Sequence, residues 1–148
     1  MSNLIIGLAC DHAGYETKLF VIELLKERGI EFLDFGCPSP ESCDYADPAH
    51  LLGNAIDSGE LTKGIAICGS GNGINMALNK HQSVRSALCW TEEIARLARE
   101  HNNANVLVIP GRFVNDTECK SIVDAYLDTE FEGGRHLARI NKIPLCNK

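Results

Sequence analysis

Short, continuous apolar runs alternate along this chain with segments whose apolar residues recur at helical spacing. The runs predict five strands, at residues 4–9, 31–35, 64–67, 83–89 and 106–109. The other segments predict helices at 15–28, 48–57, 73–79, 92–101 and 116–127, with a final helix or arm at 135–143. Apolar strands that lack period-two alternation and alternate with helices are typical of a parallel sheet covered on both faces. The pattern therefore predicts an α/β fold: one three-layer αβα Rossmann-like domain over residues 1–148, with a five-stranded parallel sheet and a C-terminal helical arm.

Local signals mark the ends of several predicted helices. Gly29 stops the first helix, and Asp47 before Pro48 predicts the start of the second, since proline is favoured at the first helical position. Thr91 is a suitable N-cap for the fourth helix, and Asn115 or Asp116 for the fifth.

Charge and composition exclude several classes of protein. The net charge of -6 over 148 residues argues against a nucleic-acid partner, which requires a basic face. No apolar run reaches the roughly 18 residues of a membrane span, and the N-terminus lacks the pattern of a signal peptide. The seven cysteines are scattered and odd in number, without a metal-binding spacing, which favours reduced thiols in the cytoplasm and no bound metal.

The stretch at residues 64–74 combines an apolar run, a cysteine and three glycines at alternate positions. Cys68 ends the run, and Gly69, Gly71 and Gly73 follow it. This order predicts a buried strand, a tight loop and the start of a helix, where backbone amides can hold an anion beside the thiol. A dinucleotide site, a P-loop and a cysteine phosphatase are each excluded, because the third glycine comes one place early, no Gly-Lys-Ser/Thr is present, and Ile74 replaces the phosphatase arginine.

Ligands of such sheets bind beyond the carboxyl ends of the strands, where the strand order reverses. If the order begins 2-1-3, the loops after the first and third strands are neighbours. Asp11 and His12 would then meet Cys68 and Ser70 in one crevice. We interpret this convergence as functional, although each residue taken alone is compatible with packing or turn formation.

Further candidates lie later in the chain. His101 and Asn102 end the fourth predicted helix, and Arg112 follows the fifth strand. Arg135 and Arg139 are four residues apart, so on a helix they share a face and could bind phosphate. The remaining histidines have no such context and are interpreted as surface residues: His50, His81 and His136.

Taken together, these residues resemble the type B ribose-5-phosphate isomerase family, which includes the allose-6-phosphate and galactose-6-phosphate isomerases. The resemblance extends over the whole chain. It rests on Asp11–Glu16 with Lys18, the stretch 68–74, Ala77 with 79–80, His101–Asn102 with 105–107, Gly111–Arg112, and 131–136 with Arg139.

The resemblance implies a metal-independent aldose–ketose isomerase of the pentose phosphate pathway that needs no cofactor. His101 with Asp11 would open the sugar ring, and Cys68 would move a proton between C1 and C2 of a phosphorylated sugar through a cis-enediolate. The same likeness implies an oxyanion site at Ser70 with Gly69, Gly71 and Gly73. It implies phosphate ligands at His12, Arg112, Arg135 and Arg139, and further substrate contacts at Asn72 and Asn102. It also implies a homodimer or a dimer of dimers with shared active sites.

The sequence departs from the family pattern at two positions. Ser70 stands where threonine is common, and Asn72 where an aliphatic residue is usual. Asn72 leaves the identity of the sugar open, and three readings stand beside ribose 5-phosphate isomerisation. They are a six-carbon sugar-phosphate isomerase, a non-catalytic sugar-phosphate-binding subunit, and a flavodoxin-like redox module, the last disfavoured by the absence of a Cys-x-x-C motif.

Overall fold

Five parallel strands form the centre of the molecule in a computed structural model that describes residues 3–145. The strands are β1 (Ile5–Cys10), β2 (Glu31–Asp34), β3 (Lys63–Cys68), β4 (Ser86–Leu88) and β5 (Val106–Pro110). Their order is β2-β1-β3-β5-β4, and every neighbouring pair is parallel. The predicted α/β fold is therefore confirmed, and β1 and β3 meet at the point where the order reverses.

Helices cover both faces of the sheet. They are α1 (Tyr15–Glu27), α2 (Ala46–Asp57), α3 (Asn72–Leu78), α4 (Glu92–Asn102), α5 (Asp116–Asp128) and α6 (Arg135–Ile140), and a short 3₁₀ turn (His12–Gly14) precedes α1. One apolar cluster joins α1, α4 and α5 to the sheet, and a second joins α2 and α3 to the opposite face. No helix within residues 3–145 is both long and apolar enough to cross a membrane.

The two faces of the sheet carry side chains of different size. Ile65 and Ile67 of β3 belong to the cluster with α1, α4 and α5, whereas Ala66 and Cys68 belong to the cluster with α2 and α3. A Cβ atom on Gly64 would lie 2.9 Å from Leu52 of α2. The small residues of this face therefore let α2 approach the sheet closely, and Cys68 ends its strand on that side.

The structure corrects three predicted boundaries. Helix α2 begins at Ala46, so Asp47 does not flank it and Pro48 lies within its first turn. Proline is tolerated there because the first four helical N–H groups have no partner within the helix. The fourth strand has only three residues, because Asn105 side-chain hydrogen bonds hold Ser83 and Arg85 just before it. The last helix ends at Ile140 rather than at 143.

A buried lysine ties α1 to the sheet. Lys18 is only 2% exposed. Its ammonium group donates a 2.8 Å hydrogen bond to the carbonyl of Cys37 and lies 2.8 Å from Asp34 Oδ2. The pair connects the first helix with the end of β2 and with the loop that follows.

We predict that Lys18→Ala lowers the free energy of unfolding by about 3 kcal/mol, because it leaves a buried carbonyl without a donor and Asp34 without its partner. Lys26→Ala is the matched control on the same helix, since Lys26 is 60% exposed and its one ion pair within residues 3–145 is with exposed Glu23. The control should change stability by less than about 0.5 kcal/mol. Urea unfolding measures both variants, and equal losses would contradict this role of Lys18.

Candidate active site

The loops that follow β1 and β3 form a cleft at the carboxyl edge of the sheet. The backbone N–H of Asp11 donates to the carbonyl of Ile67, at 3.2 Å, and so continues the β1–β3 pairing beyond β1. The cleft has a volume of about 290 Å³. Most of the residues predicted from the sequence line it: Asp11, His12, Cys68, Gly69, Ser70, Gly73 and Arg112.

The turn after β3 depends on Gly71. This residue has φ +80°, and a Cβ atom there would collide with Leu88. Helix α3 begins directly afterwards, at Asn72. The N–H of Asn72 donates to Ser70 Oγ at 3.3 Å, so the Ser70 hydroxyl hydrogen remains available to donate into the cleft.

The two polar residues after β1 are held by backbone groups. Asp11 is 8% exposed, and its Oδ1 accepts a 2.9 Å hydrogen bond from the N–H of Gly14. The Nδ1 atom of His12 accepts from the backbone N–H of Cys43 at 3.3 Å. A neutral His12 ring therefore carries its hydrogen on Nε2, from which it can donate to an anion.

Arg112 and Tyr45 complete the cleft. The backbone of Arg112 donates to the carbonyl of Gly69 at 3.0 Å, and its side chain passes over that glycine. The ring of Tyr45 covers Gly73, where an added Cβ would lie 2.5 Å from Cζ. Sequence reasoning missed Tyr45, because a single aromatic residue at the end of a polar loop carries no periodic signal.

Asn72 faces a neighbouring depression rather than this cleft. The depression has a volume of about 530 Å³, and its wall includes Trp90 and Phe113. Ser70 borders both spaces. A ligand longer than the first cleft would therefore extend toward Asn72.

The other predicted site residues lie away from Cys68. Cys68 pairs with Pro110 at the end of β5, whereas His101 and Asn102 end α4 just before β5 begins. Strand β5 has five residues and is therefore about 16 Å long. His101 thus lies near the amino ends of the strands, whereas Cys68 lies at their carboxyl ends. Arg135 and Arg139 belong to α6, which packs on α4. One chain does not bring these four residues into the cleft.

His101 belongs to a second cluster of titratable groups. Its ring stacks on His136 with the centroids 4.4 Å apart. Glu132 Oε1 lies 3.3 Å from His136 Nε2 and 3.9 Å from His101 Nε2. His136 is only 6% exposed, so its interpretation as a surface residue is wrong. The backbone N–H of Glu132 donates to the carbonyl of Glu100 and holds the segment before α6 against α4.

His101, Glu132 and His136 carry atoms of the kind that bind metal ions. Their ligand atoms lie within 4.8 Å of one another. The two stacked imidazole planes are only 17° apart, however, so the nitrogen lone pairs lie in two nearly parallel planes and do not converge on one point. The stacked arrangement is therefore a poor metal site.

Burial raises the pKa of several thiols outside the cleft. The pKa rises to about 11 for Cys10 and to about 12 for Cys89 and Cys119. These groups remain protonated at neutral pH and behave as small apolar residues. Cys146 lies outside the described residues.

The geometry defines the class of protein: a Rossmann-like α/β protein with a thiol, a hydroxyl, a carboxylate and an imidazole around one cleft at the topological switch point. The family model described as Ribose/Galactose Isomerase matches residues 6–143, and the chain belongs to this family. The resemblance inferred from the motifs is thereby confirmed.

Individual relatives match over nearly their whole length. Ribose-5-phosphate isomerase B of Escherichia coli is 41% identical over 138 residues, which are 93% of each chain. The crystal structure of a ribose 5-phosphate isomerase from Thermotoga maritima is 45% identical, with a TM-score of 0.93 over 97% of this chain and 99% of that one. Ribose-5-phosphate isomerase B from Mycoplasma genitalium, with bound ribulose-5-phosphate, is 41% identical, with a TM-score of 0.92 over 97% and 95% of the two chains.

We predict that iodoacetamide at pH 8 alkylates Cys68 before Cys10, Cys89 and Cys119. Cys68 lines the cleft, whereas the other three are at most 1% exposed and have raised pKa values. Peptide mass mapping after brief exposure measures the order, with Cys146→Ser as the background so that position 146 does not compete for the reagent. Faster labelling of any of the three buried thiols would contradict the prediction.

Proposed function

We propose that this protein is a metal-independent aldose–ketose isomerase that interconverts ribose 5-phosphate and ribulose 5-phosphate in the cytoplasm, with residues 1–148 acting as one domain. The observation that carries the proposal is the convergence of Cys68, Ser70 and His12 on one cleft. Family membership and the relative with bound ribulose-5-phosphate support the substrate class.

Cys68 is the proposed base. As a thiolate it takes the proton from C2 of the open-chain aldose, and charge develops on the oxygen at C1. The Ser70 hydroxyl and the amides of Gly69, Gly71 and Gly73 stabilise that oxygen as a cis-enediolate forms. Return of the proton to C1, with the hydroxyl proton moving from the C2 oxygen to the C1 oxygen, yields the ketose.

Asn75 supports the choice of base. It stands one turn into α3, and its neutral amide cannot act as a base. Its Oδ1 instead accepts the hydroxyl of Ser86 on β4, so the side chain is turned toward the sheet edge. Asn75 therefore offers the cleft no basic group, which is consistent with Cys68 as the base.

Ring opening is assigned to His101 with Asp11, and these two residues must then come from different chains. His101 lies at the opposite edge of the sheet from Cys68 in its own chain. We infer a homodimer, alone or within a dimer of dimers, in which each cleft receives His101 from the second copy. Asn102, Arg135 and Arg139 accompany it on α4 and α6, so that the two arginines join His12 and Arg112 around the phosphate.

A six-carbon sugar phosphate is the alternative substrate. The depression at Asn72 adjoins the cleft through Ser70 and provides room for a longer chain. A panel of phosphorylated aldoses, assayed for ketose formation in the presence of EDTA, decides between the two substrates. A lack of turnover with every aldose would overturn the proposal and favour a binding subunit.

We predict that Cys68→Ala lowers kcat on ribose 5-phosphate by about 10³-fold, within the range that general bases contribute, and changes KM little. Cys119→Ala is the control, since its buried thiol lies on the far side of the sheet. Full activity in Cys68→Ala would exclude this base.

We also predict that two inactive variants complement each other. Cys68→Ala and His101→Gln subunits, unfolded together and refolded at equal concentration, form mixed dimers in which one of two clefts has both groups intact. With random pairing about a quarter of the original activity returns. Refolding each variant alone is the control. No recovery on mixing would show that Cys68 and His101 do not act across subunits.

A further inference from the structure

A chain of hydrogen-bonding side chains links α2 to the turn that follows α3. His50 Nδ1 lies 2.8 Å from His81 Nε2, and His81 Nδ1 lies 2.9 Å from Asp57 Oδ2. His50 and Asp57 belong to α2, whereas His81 belongs to the connection between α3 and β4. The three residues are outside the cleft, and the proposed reaction does not use them.

The carboxylate fixes the orientation of the central imidazole. Asp57 Oδ2 accepts from His81 Nδ1, so the lone pair of His81 Nε2 points toward His50. Asp57 is itself fixed, because its Oδ1 accepts from the N–H of Ser83 at 2.9 Å. A histidine whose second nitrogen donates to a carboxylate is the arrangement typical of metal-bound imidazoles.

The His81 ring packs directly against helix α2. Gly53 lies inside α2, where glycine costs about 1 kcal/mol relative to alanine. A Cβ atom at this position would lie 2.5 Å from His81 Nε2. Glycine therefore lets the imidazole lie directly on the helix backbone, where His81 Nε2 faces His50 one turn earlier in the helix.

We propose that His50 Nδ1 and His81 Nε2 bind a divalent transition-metal ion, with Asp57 orienting His81 and water completing the coordination. Imidazole suits Zn²⁺, Cu²⁺ and Ni²⁺. Tetrahedral ligation at about 2.05 Å separates two nitrogens by about 3.3 Å, so the pair must open by about 0.5 Å. His50 is exposed and can move by this amount. The two rings are tilted by 50°, so their lone pairs can converge, unlike those of His101 and His136.

Tag-free, chelator-treated protein titrated with Ni²⁺ tests the site by calorimetry and by the shift of Tm. We expect one equivalent per chain with a rise in Tm, because an ion that binds only the folded state stabilises it. His50→Gln and His81→Gln should each weaken binding at least tenfold, and Asp57→Asn about 10- to 100-fold. His50→Gln alters an exposed side chain, so it remains informative if the other variants fold poorly.

His136→Gln is the matched control, because it removes a histidine from the other cluster of possible ligands. Binding lost in His136→Gln but retained in His50→Gln would overturn the proposal. So would binding unchanged in both His50→Gln and His81→Gln, which would place the ion on thiols or elsewhere. The absence of any Ni²⁺ binding below millimolar concentration would also overturn it.

Discussion

The parallel pairing of β1 with β3 is the constraint on which the candidate site depends. It pairs Cys10 with Ile67, so that Asp11 comes level with Cys68, and the hydrogen bond from the N–H of Asp11 to the carbonyl of Ile67 continues the pairing past β1. The turn after β1 packs tightly against the end of β3, because a Cβ atom on Gly14 would lie 2.5 Å from the carbonyl oxygen of Ile67. The loops after the two strands therefore leave the sheet together. Side chains that are 57 residues apart in sequence share one cleft for this reason.

Features that depend on the local residue pattern could be predicted from the sequence. Features that depend on packing between distant segments could not. Strands β1, β3 and β5 were recognisable because both of their faces are buried, and the loop after β3 because Cys68 precedes alternating glycines. Tyr45 and His136 carry no such signal. The first matters because Gly73 leaves space beneath its ring, and the second is buried because the segment before α6 folds onto α4. Neither packing contact can be read from neighbouring residues. Boundaries failed where side chains rather than strand pairing hold the backbone, as Asn105 does before β4.

Topology also separates the candidate residues into two groups, according to whether each residue precedes or follows its strand in the sequence. In a parallel sheet, residues that follow a strand lie at the carboxyl edge, and residues that precede one lie at the opposite edge. Arg112 follows β5 and lines the cleft, whereas His101 precedes the same strand. Any mechanism that uses both residues therefore requires a second chain. This requirement is geometric and is independent of which sugar phosphate is bound.

The layer of α2 and α3 connects the cleft with the histidine pair. Small residues on this face of the sheet let α2 pack closely, and the residue before its first turn, Tyr45, lies over Gly73 at the start of α3. His81 follows the far end of α3 and rests on Gly53, in the middle of α2. The two helices are thus in contact near both ends of α3. The His50–His81 contact and the Tyr45–Gly73 contact therefore both depend on how α2 packs against α3.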